Sequence, residues 1–487
     1  MLVYAVDLGT TNTKVVLFDE RLRRLAVASA PAAYDRDGPR VEFDPQQLVE
    51  TVLDLISTCA ATQPDTHAHD AIIAITGQAE SLVLVGADGQ AVRPAMSWLD
   101  SRAVEEAKEL ADAFDPARAF RVTGEPESSA AWPAAKLRWL ARYEPDSLAS
   151  TRSILMVKDD LIRRLTGQVV GELTTRGFTY FFDVQEGHYW QPMLDMCSID
   201  TGQLPDICAA GRDVGRVLTE IERRLPPSSG GYRVNSGALD HFCAMVGTGS
   251  YRQGAVSESA GTVLSLSLLA SDWKFNAASK ISFHAGINPG DTVLFTCADS
   301  GGVVLEWFRR ELLPGMSYQE LEDALAERSF SDGPIFLPYL TGVNPPDFLP
   351  SARGAFLGLE LRHDRLDMAY SVQEGVAHLL RRNVDYFASS GLPVREVVST
   401  GGGAASAHWS QLKSDVCGLD VVVPGEQEAT CRGAAALALM DSGHLGSLDE
   451  AGSLNSPEVC RYRPAKDSSI PRRYEFFDAY LTLLYGS

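Results

Sequence analysis

No lysine follows a glycine anywhere in the 487 residues, so the chain has no phosphate loop of the G-x-x-x-x-G-K-[ST] form. G-x-G-x-x-G and D-F-G are missing too, which removes the dinucleotide fingerprint and the protein-kinase signature. No apolar run approaches the roughly 20 residues that a bilayer span takes. The opening Met1-Leu2-Val3-Tyr4-Ala5-Val6-Asp7 has no basic region and reads as a strand rather than a signal peptide. Positive charge is scarce: 43 Lys and Arg stand against 64 Asp and Glu, a formal net charge of -21. Nucleic acid and anionic membranes would be repelled, so neither is expected as a partner. The eight cysteines form no C-x-x-C pair, which argues against a zinc site or a disulfide framework. The expectation is a soluble chain with reduced thiols in the cytoplasm.

What remains is ordinary globular composition, 45% apolar and 22% charged. A single core stops growing at about 250–300 residues, so a chain of 487 divides into two domains. Two β-rich runs, Val3–Asp7 and Lys14–Asp19, enclose a Gly/Thr/Asn turn. Asp44-Pro45 starts a helix, with Asp as its cap and Pro at the first helical position, and Leu48, Val52, Leu53 and Ile56 line one face. Ala71–Thr76 is a short buried strand ending in Gly77-Gln78. After residue 235 the opening pattern returns as Ala255–Glu258, a Ser259-Ala260-Gly261-Thr262 turn and Val263–Leu269. Two such units in an alternating α/β chain indicate a duplication, its two turns facing across a cleft. The boundary falls near residues 245–255, with no low-complexity linker to mark it.

Three segments carry chemistry. In Asp7-Leu8-Gly9-Thr10-Thr11-Asn12-Thr13-Lys14, Gly lets the backbone approach a ligand, N–H groups and hydroxyls can bind phosphate oxygens, and Lys14 adds charge. Asp7, at the strand end, could hold Mg²⁺. In Gly237-Ala238-Leu239-Asp240-His241, Asp240 precedes the apolar stretch Phe242–Val246 and stands at the start of a buried helix beside the cleft. It is either a base for a substrate hydroxyl or an ordinary helix cap, and the residues alone leave both open. His241 reads as structural. Gly401–Ala404 precedes an amphipathic helix carrying Trp409, Leu412 and Val416. That run offers a flat surface to an adenosine, or is a plain strand-to-helix turn. His67-Ala68-His69 reads as a solvated loop rather than a metal pair.

Taken in order, these segments resemble the FGGY family of carbohydrate kinases, which share the actin/Hsp70 ATPase fold. The resemblance runs from Tyr4 to about Met440 through DLGTTNTK, TGQAESLVLV, RPAMSWLDSR, PAAKLRWL, GALDHFCAMVGTG with SESAGT, ARGAFLGL, STGGGAASAHWSQLKSD and GAAALALM. It implies an α/β fold of two actin-like (ribonuclease H-like) domains with an interdomain cleft. Residues 1–248 would carry the sugar pocket and the first phosphate loop; residues 249–487 would carry the second phosphate loop and the adenosine site. The implied ligands are ATP, Mg²⁺ and a small sugar, and family members often form homodimers. Asp240 matches the family's base and Asp7 its Mg²⁺ residue. Gly9, Thr10, Thr11, Asn12, Thr13 and Lys14 would face the phosphates, with Gly261 and Thr262 opposite, and Gly402, Gly403 and Ala404 against the adenosine. Gln78, Ala79, Glu80 and Trp98 would line the sugar pocket, braced by Asp100 and Arg102.

The sequence departs from the family at the residues that choose the sugar. Xylulokinases usually carry Met-His after the Gly-Gln, and glycerol kinases Arg-Glu; here Ala79-Glu80 stands instead. A pentulose such as D-xylulose is the first expectation, because the W-x-D-x-R segment and the glycines around the second phosphate loop look most like the xylulokinase branch. Glycerol, gluconate and other ketoses are the alternatives, with a non-metabolic ATPase of the same fold behind them.

Overall fold

The computed structural model describes residues 1–486 except 64, 262, 272, 299, 327–331, 341, 343–348, 350, 427, 455–459 and 466–468. The first half is built on β1 (Leu2–Leu8), β2 (Asn12–Asp19), β3 (Arg24–Pro31), β4 (Ala71–Gly77) and β5 (Tyr232–Asn235). Antiparallel β1–β2–β3 are joined to β4 and β5, which run parallel to β1, giving the order β5-β4-β1-β2-β3 with Asp213–Arg216 added at one edge. The second half repeats this with β6 (Ala255–Ala260), β7 (Leu264–Leu269), β8 (Thr292–Ala298), β9 (Glu396–Thr400) and β10 (Asp420–Val423). Its order is β10-β9-β6-β7-β8, with the same parallel and antiparallel senses. The duplication expected from two strand–turn–strand segments therefore extends to five strands on each side.

Both faces of β1 are buried, which is why it reads as an apolar run rather than an alternation. Leu2, Tyr4, Val6 and Leu8 pack against helix α1 (Pro45–Ala61) through Val49, Val52, Leu53 and Ile56. Asp44 caps α1 by accepting from the Gln46 N–H at 2.8 Å, and Pro45 takes the first turn, as the sequence predicts. Helices α2 (Pro133–Tyr143) and α3 (Val157–Thr166) complete the helical elements of the first half that bear on the site, and α4 (Asp240–Thr248) follows β5 directly. The second half supplies α5 (Gly302–Leu312), α6 (Tyr318–Ala326), α7 (Ala407–Cys417) and α8 (Ala429–Asp441).

Val3 and Ala5, on the other face of β1, meet α4 and α8. From Cys431 to Leu439 every residue of α8 is buried, so it has no polar stripe and reads as GAAALAL. The two helices cross in backbone contact. A Cβ on Gly247 would lie 1.9 Å from the Ala429 carbonyl oxygen, and one on Gly433 would lie 1.8 Å from that of Cys243. This crossing ties the second half to the sheet of the first, and it sets the helix that begins with Asp240.

Candidate active site in the cleft between the halves

Asp240 is placed by a loop with little freedom. β5 ends at Asn235, and Gly237 takes φ +54 with its Cα so close to β4 that a Cβ would lie 2.1 Å from the Ile75 carbonyl oxygen. Leu239 bridges Gly77 at the end of β4. The N-cap position of α4 belongs to Leu239, and Asp240 is the first helical residue, where its Oδ1 accepts from the His241 N–H at 2.7 Å. The capping role open to Asp240 in the sequence is therefore not the one it takes. Its half-buried carboxylate stands at the positive end of α4. His241 lies edge-on to Phe295, 5.2 Å between centroids, a packing contact.

On one side of Asp240 is the β1–β2 turn. Asp7 faces Lys14 across the register. Asp7 Oδ1 is buried without a hydrogen-bond partner, and the carboxyl is pushed up to about 7, first by burial, then by Asp240, with Lys14 opposing and Glu428 adding to the rise. An orphaned carboxylate oxygen beside a glycine turn fits a divalent cation, which on Mg²⁺–phosphate sites needs only one or two protein carboxylates. Lys14 Nζ is 2.6 Å from Glu428 Oε2, a contact across the two halves; burial draws the ammonium down, but Glu428 outweighs it and the net shift is upward. A Cβ on Gly9 would meet the Asn12 carbonyl oxygen at 2.8 Å, so the turn closes only with glycine there. Thr11 and Asn12 are exposed. Thr13 is not: at 1% exposure it pairs with Leu8 on the α1 face and lines a small cavity of about 70 Å³ with Tyr34 and Gln78. Its side chain points away from Asp7 and Lys14, which leaves only its backbone to the turn.

On the other side are the segments expected around a sugar. Thr10 Oγ1 accepts from Trp98 Nε1 at 2.9 Å, tying the β1–β2 turn to the Trp98 segment. The Trp98 N–H donates to Ser81 Oγ at 3.0 Å, and Ser81 donates to Gln78 Oε1 at 3.1 Å. Ala79 is buried. Glu80 holds φ +64, a left-handed conformation costly for a glutamate. Its carboxyl is raised by burial, opposed by Lys136, and raised further by Glu125 and Asp240. Beneath it, Lys136 of α2 is fully buried, donates to the carbonyls of Glu80 at 3.1 Å and Ser97 at 2.8 Å, and is drawn down by that burial. Asp100 and Arg102 brace the segment as expected: Arg102 bonds Asp100 at 2.9 Å and Glu42 at 2.6 Å, and Asp100 Oδ2 accepts from the Val41 N–H at 2.8 Å.

The second half opens a cavity of about 610 Å³ beside Gly261, Gly402 and Gly403. Gly403 is forced by its neighbour, because a Cβ would lie 2.9 Å from the Ala260 Cβ. Ala404 is buried and does not line the cavity; Ala405 and Ser406 do, so the short 3₁₀ turn shifts the expected contact by one residue. Thr262 lies outside the described residues. The sequence reading missed Gly302 of α5 and Tyr318 of α6, which also line the cavity. The signal for Gly302 was present, since Ser300-Gly301-Gly302 is one more glycine turn after a strand, and its N–H donates to the Gly261 carbonyl at 2.7 Å. Lys136, Glu125 and Glu428 were missed as well. His67 and His69 are exposed, and no cluster of three His, Cys, Asp or Glu able to hold a metal occurs among the described residues.

The arrangement sets the Asp240 carboxylate between the Asp7–Lys14 turn and a cluster of carboxyls around buried Lys136, with a cavity in the other half. Residues 2–247 match the N-terminal domain of the FGGY family of carbohydrate kinases, and residues 230–442 match its C-terminal domain. The chain is similar to a xylulose kinase of Bacillus subtilis, 25% identical with 98% of this chain and 95% of the relative covered. It is also similar to a gluconokinase of Bacillus subtilis, 23% identical with 95% and 92% covered. The solved xylulose kinase of Rhodospirillum rubrum superposes with a TM-score of 0.91 at 25% identity, covering 100% of this chain and 99% of that one. Among the described residues no helix is long and apolar enough to cross a membrane.

Proposed function

Because the chain belongs to the FGGY family of carbohydrate kinases, we propose that it transfers the γ-phosphoryl group of ATP to a primary hydroxyl of a pentulose such as D-xylulose, with Asp240 as the base. One observation carries the assignment of Asp240. Its charge acts both on Asp7, beside the phosphate turn, and on Glu80, in the sugar pocket, so it stands where the two meet.

Phosphoryl transfer asks a protein mainly for position and charge, because its transition state is loose. Asp240 orients the hydroxyl toward the γ-phosphorus and accepts its proton late in the attack. The turn of Gly9 to Asn12, with Lys14, holds the β- and γ-phosphates from one side, and Gly261 does so from the other, with Thr262 assigned to the phosphates by the sequence alone. Gly402 and Gly403 bear the adenosine, joined by Ala405 where Ala404 was expected. Asp7 would hold Mg²⁺, whose charge offsets that on the phosphoryl oxygens. Gln78, Glu80 and Trp98 contact the sugar, and Ala79 leaves room where a longer side chain would stand.

The acidity of this pocket favours a neutral substrate. A gluconate carboxylate would enter beside Glu80, whose own carboxyl is held up by burial, with Lys136 opposing and Glu125 and Asp240 adding to the rise, so a further negative charge there is disfavoured. Glycerol loses the arginine that Ala79 replaces. The halves divide between residues 248 and 249, where Gly249 ends α4 in a left-handed cap. Eight free thiols among the described residues suit a cytoplasmic enzyme. A homodimer, checked by sedimentation, completes the reading.

A coupled ADP-release screen over pentuloses, hexuloses, polyols and aldonates tests the substrate. A pentulose should give the highest kcat/KM, and a preferred aldonate would overturn the charge argument. Asp240→Asn should cut kcat by about 10²–10⁴ with sugar and ATP binding kept, in the range typical of general-base loss. Near-normal turnover in that variant would remove Asp240 from its role.

A further inference from the structure

We propose that a buried chain of hydrogen bonds, Lys158–Glu172–Thr174–Leu239, positions Asp240 for the reaction, with Thr174 as its last link. Lys158 of α3 and Glu172 are fully buried, with Lys158 Nζ 2.7 Å from Glu172 Oε2. Neither group touches the phosphate turn or the sugar segments in any bond the structure shows. Both converge on the loop that delivers Asp240. Lys158 Nζ donates to the Ser236 carbonyl at 3.0 Å. Glu172 accepts the Thr174 N–H at 2.6 Å and the Thr174 hydroxyl at 2.8 Å. Thr174 Oγ1 in turn accepts the Leu239 N–H at 2.8 Å.

The direction of these bonds matters. A threonine hydroxyl has one proton and two lone pairs, and the Glu172 carboxylate can only accept from it. The proton of Thr174 is therefore committed to Glu172, and a lone pair is left for Leu239. Leu239 is the N-cap residue of α4, so its N–H lies one residue before Asp240 and has no partner inside the helix. Thr76 Oγ1 completes the frame by donating to the Ala238 carbonyl at 2.8 Å, and the Gly237 N–H is held by Asn235 Oδ1 at 2.9 Å. Every residue from 236 to 239 has a backbone group held by one of these side chains. A loop fixed at each residue gives the following carboxylate one position rather than several, as in-line attack requires.

The alternative is that the chain merely holds the short helix Leu173–Arg176. That role would show in stability and not in kcat. Replacing Lys158 or Glu172 cannot separate the two, because it strands a buried charge and threatens the fold. Thr174→Val keeps the shape and the Lys158–Glu172 pair, and removes the acceptor for Leu239 together with the hydroxyl's own bond to Glu172, which keeps Lys158 and the Thr174 N–H as partners. The inference rests on Asp240 as the base, so Asp240→Asn is measured alongside. In folded Thr174→Val, confirmed by circular dichroism and thermal melting, kcat should fall about tenfold to a hundredfold, with KM for sugar and ATP within about twofold. Thr174→Ser, which restores the hydroxyl, should recover most of kcat. If Thr174→Val does not fold, Thr174→Ala, which admits a water, takes its place in the same comparison. A kcat within about twofold of the parent in the folded variant overturns the proposal, as does a loss through KM alone or a failure of serine to rescue. If Asp240→Asn retains turnover, the base assignment fails first. If it is inactive and Thr174→Val is not impaired, only the positioning role fails.

Discussion

Asp7 shows the cost of the site in a single side chain. Its Oδ1 is buried without a partner, and the carboxyl is pushed up to about 7 by that burial and by Asp240. A buried polar atom left unmade costs about 1–3 kcal/mol, and structure alone gives no return for it in the ligand-free protein. Asp7→Asn keeps the shape and removes the charge. It should raise the stability of the ligand-free protein by about 0.5–2 kcal/mol in urea unfolding while abolishing turnover. A variant that loses stability and activity together would make Asp7 a structural residue. The pairing of Asp7 with Lys14 was legible in the sequence because both close the same turn. The orientation of Thr13 follows from the sequence by the same logic: side chains alternate along a strand, so if Lys14 faces the cleft its neighbour cannot. Glu125 and Glu428 could not be read, because their partners lie 157 and 414 residues away in sequence, in the cases of Ser282 and Lys14.

Among the elements, the crossing of α4 and α8 has the least tolerance. Gly433 and Gly247 each face a carbonyl oxygen of the other helix at under 2 Å from where a Cβ would stand, and that oxygen belongs to rigid helical backbone. Gly433→Ala should therefore force the helices apart and cost about 1–3 kcal/mol, the usual range for overpacking. Gly402→Ala is the contrasting case, because its Cβ would meet nothing within 4 Å and would project beside the cavity of the second half. It should leave stability within about 0.5 kcal/mol and raise KM for ATP. Equal destabilisation by the two would refute the backbone contact. The strands of the first half and α1 were visible in the sequence through their apolar runs and the Asp44-Pro45 start. The reason for GAAALALM was not: an all-round buried helix has no periodic stripe, and the carbonyl that excludes a side chain at Gly433 is contributed by Cys243. The 3₁₀ turn at Gly402–Ala405 likewise follows from packing on Ala260, so which alanine faces the cavity could not be counted along the chain.

Over the whole molecule, the chemistry is divided between two copies of one sheet topology, and neither copy has a complete site. In the proposed function Asp240, the turn of Asp7–Lys14 and the segment Gln78–Glu80 come from the first copy, while Gly261 and the glycines at 402–403 come from the second. Several links join them, among them the Phe283 N–H to the Gly124 carbonyl at 2.9 Å, Ser282 to Glu125 at 2.8 Å and the stack of Phe178 on His284, and two others differ most in kind. The α4–α8 crossing is apolar and close-packed, suited to stay fixed, whereas Lys14–Glu428 is a single part-buried ion pair, its side chains 31% and 15% exposed. Motion that changes the cleft where Lys14 stands should leave the close-packed crossing in place. Closure is chemically required, because an open cleft offers water to the γ-phosphorus in place of the sugar. Small-angle scattering should show the radius of gyration fall when the accepted sugar is added together with a non-hydrolysable ATP analogue, and fall less with the analogue alone. ATP hydrolysis without sugar should be slower than transfer for the same reason, since the closed state that assembles both phosphate turns needs the sugar to bridge Glu80 and Asp240. An unchanged scattering profile together with rapid sugar-independent hydrolysis would mean that the cleft is already closed, and that the acceptor is chosen by affinity alone.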